Sequence, residues 1–329
     1  MIESGALAAE AGYGPGEPIV AGVRRGEAEP VLLAQGVAPD GRPLTATTLV
    51  YAASLAKQMT AACAALLVRG GTLDPEEPLA DRLPELPAWA ATVRLRHLVH
   101  HTSGLPAGTA PGDLLPADAT ADRTTSAVMD ALARLPELRR PPGTAFVYSN
   151  AGYVCLAAVM ERAAGLPLSE LAQRDLFGPL GMADTRHWSG PGPAPPGAAP
   201  LAPPHPAPLS LGDGGVWTTL RDLLRWGQAL NADALGVAEL LQTPGRLDDG
   251  TPLDYAWGMG VRSWAGRRVY RHGGSWAGLR ALHARVPELD LTAVVVALGD
   301  DTERRVPLMD ALLTAAAERP GEGGHERRR

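Results

Sequence analysis

Apolar residues near both ends of the chain follow patterns that predict β-strands. Residues 17–38, EPIVAGVRRGEAEPVLLAQGVA, contain two apolar runs on either side of a turn at Gly26, and they predict a pair of strands. Further apolar runs lie between residues 255 and 298, and the last of them, LDLTAVVVAL, is apolar almost throughout. Short turns such as PELD separate these runs. They therefore predict an antiparallel meander, followed by a helix over residues 306–318.

The middle of the chain shows helical spacing instead. The stretch SLAKQMTAACAALLVRGG begins at Ser54, has apolar residues at helical intervals and ends in two glycines, which predicts one helix. Residues 74–188 are mostly of helical pattern with breaks at proline and glycine, and TTLRDLLRWGQAL predicts a later helix. Residues 189–209 are rich in proline, glycine and alanine. They predict a long exposed loop, because proline removes a backbone donor and fixes the chain.

Strands at both ends with helices between them predict a mixed α/β (α+β) fold. One antiparallel sheet would be built from both termini and flanked by helices, with a helical lobe inserted in the middle. We expect a single domain over residues 1–318, in which residues 1–50 and 210–318 form the sheet lobe and residues 51–209 the mainly helical lobe. Residues 319–329, which end in GHERRR, predict a disordered tail.

The composition is that of an ordinary soluble globular protein, with 45% hydrophobic and 20% charged residues. A net charge of −6 with no basic run before the tail argues against a nucleic-acid partner. No stretch reaches the ~18 consecutive apolar residues that a membrane span requires. The N-terminus lacks the basic start and apolar core of a signal peptide, so we expect a cytoplasmic protein. The oligomeric state is left open.

Two cysteines and a group of histidines are the residues that invite a metal hypothesis. Cys63 and Cys155 lie in apolar helical patterns, and we expect buried thiols there rather than a disulfide or a metal site. His97, His100 and His101 have the i, i+3 and i+4 spacing that could ligate zinc. However, the glutamate of an HExxH motif is absent. We therefore expect structural roles for these histidines, and neither a metal nor an organic cofactor.

Lys57 is the only lysine in the 329 residues of a chain that has 30 Lys and Arg together. It follows Ser54 by three positions, a spacing that places both residues on one face of a helix. A serine hydroxyl is a poor nucleophile until a neighbouring base accepts its proton. A lysine amine can accept it when burial lowers its pKa, whereas arginine stays protonated in proteins. Because S-x-x-K also arises by chance on exposed helices, this motif alone does not establish a function.

Two further motifs follow S-x-x-K in the chain. Tyr148-Ser149-Asn150 is predicted in a turn just before a helix, and His272-Gly273-Gly274 at the end of a strand. This order of motifs resembles the serine β-lactamase and penicillin-binding-protein superfamily, above all its class C-type group of esterases, D-aminopeptidases and D-alanyl-D-alanine carboxypeptidases. Segments such as LRHLVHHTSGLP and GDGGVWTTLRDLLRW are also similar to segments of that family. The resemblance covers about residues 45–300 and implies a β-lactamase/transpeptidase-like fold.

The resemblance implies a role for each motif residue. Ser54 would be the acylated nucleophile, and Lys57 would help to remove its proton. Tyr148 would carry protons between the nucleophile and the leaving group. Asn150 would orient Lys57 and the acyl side chain of the substrate. His272 would stand on the edge strand of the sheet.

The residues after His272 complete the implied site. Gly273 and Gly274 would keep the strand open to the substrate. The backbone N–H groups of Ser54 and Ser275 would form the oxyanion hole. Trp276 comes next and is a candidate for the pocket wall, with a core role as the alternative. Residues expected in the core or in a turn instead are Trp217, Trp257 and Asp213.

The implied function is that of an acyl-enzyme hydrolase acting on a small-molecule ester or amide. An acyltransferase that passes the acyl group to an amine or alcohol is the alternative, because the sequence does not show which nucleophile reaches the acyl-enzyme. His272 replaces the lysine with which β-lactamases usually hold a substrate carboxylate, and a mostly neutral histidine holds an anion less well. We therefore rank a true β-lactamase lower. A non-catalytic binder also ranks lower, because it does not need the full motif set.

Overall fold

Antiparallel strands form the main sheet of the protein. The computed structural model describes residues 3–108, 124–201 and 207–318, and the predicted tail, residues 319–329, lies outside them. The strands are β1 (Ile19–Arg25), β2 (Val31–Gln35), β3 (Val50–Tyr51), β4 (Arg186–His187), β5 (Val216–Thr218), β6 (Gly260–Trp264), β7 (Arg267–Trp276), β8 (Leu279–Val286) and β9 (Leu291–Ala297). The six-stranded sheet has the order β2-β1-β9-β8-β7-β6, so strands from both ends of the chain meet at the β1–β9 pair.

Helices cover both faces of this sheet. They are α1 (Ser4–Glu10), α2 (Ala56–Arg69), α3 (Leu79–Arg82), α4 (Leu95–Val99), α5 (Thr125–Ala133), α6 (Asn150–Ala164), α7 (Leu168–Ala172), α8 (Leu220–Asn231), α9 (Ala238–Gln242) and α10 (Arg305–Ala317). All of β9 is buried, and its residues alternate between two cores. Val295 belongs to the core that contains α10, whereas Val294 and Val296 belong to the core that contains α2 and α8. The apolar run LTAVVVA is thus explained by burial on both faces.

A smaller three-stranded sheet, in the order β3-β5-β4, lies outside the main sheet. Residues 53–55 form a 3₁₀ turn directly after β3, and α2 begins at Ala56. This arrangement sets the start of α2 against the main sheet. The predicted mixed fold, with an antiparallel sheet from both termini and helices inserted between them, is confirmed. The division of the domain into two lobes stays a prediction.

The proline-rich loop differs from its prediction. Within its described residues, Ala198, Ala199 and Ala207 are buried, and the Ala199 N–H donates to Leu49 O over 2.8 Å. Arg42 also donates to the carbonyl of Ala198. The expectation of a wholly exposed loop was therefore wrong, because alanines in this tract pack against the body of the protein. Helix α1 was not predicted.

Two smaller expectations concern thiols and membranes. Cys63 and Cys155 are both free and fully buried, and burial raises the pKa of each thiol to about 12. A thiol in such surroundings is unreactive at neutral pH. Among the residues that the structure describes, no helix has the length and apolar character that crossing a membrane requires.

Candidate active site

Ser54 lies in the 3₁₀ turn between β3 and α2 rather than in the α-helix itself. Ala53, directly before it, has φ 48° and is one of the few non-glycine residues in the left-handed region. Such a backbone costs about 1–3 kcal/mol and is found where the surrounding structure fixes it, often at functional sites. Ser54 itself is partly exposed, whereas Ala53 and Leu55 are buried. The turn therefore presents the hydroxyl while its neighbours are held in the core.

Lys57 is completely buried beneath this turn. Its Nζ donates to Ser54 Oγ over 3.1 Å and to the main-chain oxygen of Asp213 over 2.6 Å. The same nitrogen lies 5.1 Å from the centre of the Tyr148 ring. The structure therefore brings together the serine, the lysine and the tyrosine that the sequence singled out. Their catalytic roles stay predictions.

Asn150 is the first residue of α6, and Ser149 caps that helix by accepting a bond from Gly152 N over 3.3 Å. Asn150 Oδ1 is buried and has no hydrogen-bond partner among the described residues. If Asn150 oriented Lys57, Lys57 Nζ would donate a hydrogen bond to this oxygen. That bond is not seen, so the expected orientation of Lys57 by Asn150 is not seen either. The main-chain oxygen of Asp213 takes that place. The free amide oxygen remains available to a substrate N–H.

The strand that carries His272 is not the edge strand, contrary to expectation. Strand β6 is the edge, but it pairs with β7 only as far as Arg271. From His272 to Trp276, β7 pairs with β8 alone. The C-terminal half of β7 is therefore locally an edge, and this half faces the turn with Ser54.

His272 is neutral, and both of its ring nitrogens are hydrogen-bonded to protein groups. Its Nδ1 lies 2.7 Å from Gly273 O, which can only accept, so the ring proton sits on Nδ1. Nε2 then accepts from the Tyr255 hydroxyl over 3.1 Å. Burial, with a further contribution from Lys57, lowers the pKa of His272 to about 3. A neutral ring at this position cannot serve as the cation that binds a substrate carboxylate.

The two glycines after His272 differ in how much space a side chain would have. A methyl group added at Gly274 would come within 2.7 Å of Ala52 O, so this position allows β7 to pack against the Ser54 turn. A methyl group at Gly273 would meet nothing nearer than Ala281 O at 3.7 Å. Gly273 lines the pocket and Gly274 does not. Gly274 therefore packs against the turn rather than lining the pocket, and the role of Gly273 in keeping the strand open to substrate stays a prediction.

These residues surround one pocket of about 240 Å³. Its described lining consists of Tyr51, Ala53, Ser54, Tyr148, Asn150, Pro208, Asp213, His272, Gly273, Ser275, Trp276 and Arg305. Ser275 and Trp276 are thus at the pocket as expected, while the oxyanion role of the Ser54 and Ser275 N–H groups stays a prediction. A larger pocket of about 740 Å³ beside the β6–β7 hairpin contains none of the motif residues.

Sequence reasoning missed two charged residues of this pocket. Asp213 was expected to be a mere turn residue, but it accepts from Lys57 and lines the pocket. Arg305, at the start of α10, donates to Gly274 O and to Ser275 Oγ, each over 3.3 Å. Neither contact has a local sequence signal, because both partners are far apart in the chain.

The other singled-out residues lie around the site. His101 stacks on Tyr148 with ring centres 4.3 Å apart, and its Nδ1 accepts from Ser149 N over 3.2 Å. Burial and Lys57 hold the pKa of His101 well below its ordinary value.

His97 lies outside the described lining of the pocket and accepts from Arg94 N at the start of α4. No group of three His, Cys, Asp or Glu in the described ranges is placed to hold a metal. Trp217 and Trp257 are buried, and neither lines the pocket.

Two known proteins are similar to this chain in sequence. The D-aminopeptidase of Cereibacter sphaeroides (strain ATCC 17029 / ATH 2.4.9) is 30% identical over 267 residues, which cover 78% of this chain and 51% of that protein. The D-alanyl-D-alanine-carboxypeptidase/endopeptidase AmpH of Escherichia coli (strain K12) is 30% identical over 191 residues, covering 55% and 48%. Both relatives are hydrolases by name. The chain spans about half the length of these curated relatives.

The fold is shared with solved penicillin-binding proteins. The crystal structure of a penicillin binding protein from Bacillus halodurans has a TM-score of 0.79 and 23% identity, and the match covers 96% of this chain and 99% of that one. A family model described as Beta-lactamase matches residues 12–318, which include every motif discussed above. The chain therefore belongs to the beta-lactamase family.

Proposed function

We propose that the protein is a serine hydrolase that forms an acyl-enzyme on Ser54 from an ester or an amide. One observation supports this most directly: Lys57 Nζ lies 3.1 Å from Ser54 Oγ at the pocket that Tyr148 also lines. Burying an amine without a carboxylate partner costs free energy. A binding protein gains nothing from that cost, whereas a nucleophilic serine needs a proton acceptor within hydrogen-bond distance.

Acylation would begin when Ser54 Oγ attacks the carbonyl carbon of the substrate. The hydroxyl proton passes to the Lys57–Tyr148 pair, and the carbonyl oxygen becomes an oxyanion beside the Ser54 and Ser275 N–H groups. Each preorganised donor of this kind contributes about 3–4 kcal/mol when tested by deletion. The intermediate collapses as the leaving group takes the proton and departs. An ester of Ser54 remains.

Deacylation would use water as the second nucleophile. Water attacks the Ser54 ester, gives its proton to the same pair and releases the acid, after which Ser54 recovers its proton. The names of the relatives favour water, because both describe hydrolases. Transfer of the acyl group to an amine or alcohol has no observation of its own in its favour.

Amides and esters of D-amino acids are the substrate class that we propose. The two relatives act, by their names, at D-residues. The neutral His272 removes the cation with which a β-lactamase usually holds the carboxylate of its substrate. Because the chain spans only about half of these relatives, the preference for D-residues belongs to the proposal.

A comparison of three chromogenic substrates tests this function. D-alanine p-nitroanilide, p-nitrophenyl acetate and a chromogenic cephalosporin would be offered to the same preparation, and kcat/KM measured for each. We expect hydrolysis of the first two and a value for the cephalosporin lower by about 100-fold or more. Cephalosporin turnover at an ordinary enzymatic rate of ~10 s⁻¹, with no cleavage of the amide or the ester, would instead identify a β-lactamase.

A further inference from the structure

Asp213 carries the one carboxylate among the described residues that line the pocket. Its main-chain oxygen accepts from Lys57 Nζ over 2.6 Å, and its Oδ1 accepts from Ser210 Oγ over 2.9 Å. The main-chain bond holds the residue beside the nucleophile, since Lys57 also bonds to Ser54 Oγ. The carboxylate of Asp213 takes no part in the bond to Lys57. Asp213 also lines the pocket in which a substrate of Ser54 would bind.

Hydrogen bonds and the more distant charge of Lys57 act on the Asp213 carboxylate, but no salt bridge among the described residues does. Within the described part of the chain, no lysine or arginine nitrogen lies within 4.0 Å of its carboxylate. Burial raises the pKa of the Asp213 carboxyl, while Lys57, the Ser210 bond and the backbone N–H groups of Asp213 and Gly214 lower it. The other ionisable side chains that line the pocket are those of Tyr51, Tyr148, the neutral His272, and Arg305 on the β7 side. A buried carboxylate in such a position gains stability when a cationic ligand group pairs with it.

The position of Asp213 also determines which part of a substrate could reach it. Lys57 Nζ bridges the main-chain oxygen of Asp213 and Ser54 Oγ, so the main chain of Asp213 lies close to the hydroxyl that would attack the substrate. In an aminoacyl group, a single carbon separates the ammonium nitrogen from the carbonyl carbon. A cation on the acyl part therefore fits better than a cation at the far end of a leaving group.

We infer that Asp213 binds the protonated α-amine of the acyl group, so that the preferred substrates are aminoacyl amides or esters with a free amino group. This inference rests on the proposed function, because it requires an acyl-enzyme at Ser54. The carboxylate accepts a charged hydrogen bond from the ammonium group and so fixes the carbonyl carbon for attack. Asp213 then determines specificity, while its main-chain oxygen keeps its separate bond to Lys57.

Two substrates of nearly equal size isolate the charge. D-alanine p-nitroanilide carries the ammonium group, and D-lactic acid p-nitroanilide has a hydroxyl in its place. The kcat/KM ratio of the two would be measured for the wild type, for Asp213→Asn and for Ser210→Ala. Asparagine keeps an oxygen for the Ser210 bond but removes the charge. The ratio is taken within one preparation, so partial unfolding of a variant cancels.

We expect the ratio of amine to hydroxyl substrate to fall about 10- to 100-fold in Asp213→Asn, the range expected for one charged hydrogen bond. Ser210→Ala removes the bond to Oδ1 but leaves the charge, so its ratio should stay within about 3-fold of wild type. An equal ratio in wild type and Asp213→Asn, with both substrates turned over, would overturn the inference and leave the hydrolase standing. If the wild type cleaved neither compound and formed no Ser54 adduct with a fluorophosphonate, the proposed function would fall, and this inference with it.

Discussion

At the scale of single residues, Ser54 and Lys57 could be identified from the sequence because the chain has one lysine and it follows a serine at helical spacing. The structure places their side chains at hydrogen-bond distance. The residue that holds Lys57 could not be identified in this way. Asp213 does so through its main-chain oxygen, and any residue type carries such an oxygen. Main-chain contacts of this kind leave no mark in the sequence.

The sole lysine is open to a direct test by charge-preserving substitution. Lys57→Arg keeps a positive charge but cannot accept a proton, so kcat should fall as far as in Lys57→Ala, by about 10²- to 10⁴-fold. Steady-state rates with p-nitrophenyl acetate measure the fall. Circular dichroism would serve as the control, because both variants should keep the helical signal. Near-normal turnover by Lys57→Arg would show that Lys57 acts only as a charge.

At the scale of elements, the site depends on how closely β7 approaches the turn before α2. Apolar periodicity predicted both the strand and the helix. It did not predict the 3₁₀ turn that holds Ser54, because a three-residue turn has no period of its own. It also did not show that the pairing of β6 with β7 stops at the Gly260–Arg271 pair, which leaves the second half of β7 open on that side. The residue at which two strands cease to pair depends on contacts between elements. The apolar pattern within one element carries no information on those contacts.

Two neighbouring glycines of β7 form a matched pair for testing this approach. A methyl group at Gly274 would lie 2.7 Å from Ala52 O, so Gly274→Ala must displace β7 or the turn. We expect it to lower the free energy of unfolding by about 1–3 kcal/mol, the usual cost of overpacking. It should also slow the acylation of Ser54. Urea denaturation and burst kinetics would measure the two effects.

Gly273→Ala is the control for that measurement. The nearest atom to its added methyl group is Ala281 O at 3.7 Å, an ordinary contact. Its free energy of unfolding should therefore stay much closer to wild type than that of Gly274→Ala. If the two variants were equally stable, the close packing of β7 on the Ser54 turn would not be a constraint.

At the scale of the whole molecule, the sequence predicted the antiparallel sheet from both termini with inserted helices. Each long element has enough residues to show its period, and β9 shows its double-sided burial as an unbroken apolar run. The small sheet was not predicted, because β3, β4 and β5 have only two or three residues each. Arg305 could not be assigned to the pocket either. Only the folded chain brings the start of α10 to β7.

Buried histidines should make the stability of the protein depend on pH. Burial lowers the pKa of His272 and His283 to about 3, and that of His100 and His187 to about 4. In the unfolded chain these rings bind protons below about pH 6.5, whereas in the folded chain they stay neutral down to about pH 4. The unfolded state therefore binds more protons between these values, and acidification through this window lowers the stability.

Urea denaturation at pH 7, 6 and 5 would measure this loss of stability. Each histidine contributes up to about 1.4 kcal/mol per pH unit below its unfolded pKa. Asp213 and Asp222, with pKa values raised above 3.8 by burial, act in the opposite direction, but six histidines have lowered pKa values, because burial also lowers those of His97 and His101. His283→Gln should reduce the slope, because it removes one buried ring. A free energy of unfolding that did not change from pH 7 to pH 5 would contradict this picture.

The central claim is that Ser54 carries the acyl group, and intact-mass spectrometry with peptide mapping tests it most directly. Wild type and Ser54→Ala would be mixed with a fluorophosphonate and, separately, with p-nitrophenyl acetate, and quenched in acid within seconds. We predict one added group per chain in the wild type, located on the peptide that contains Ser54, and none in Ser54→Ala. An adduct of the same mass on one defined peptide of the Ser54→Ala protein would contradict the claim.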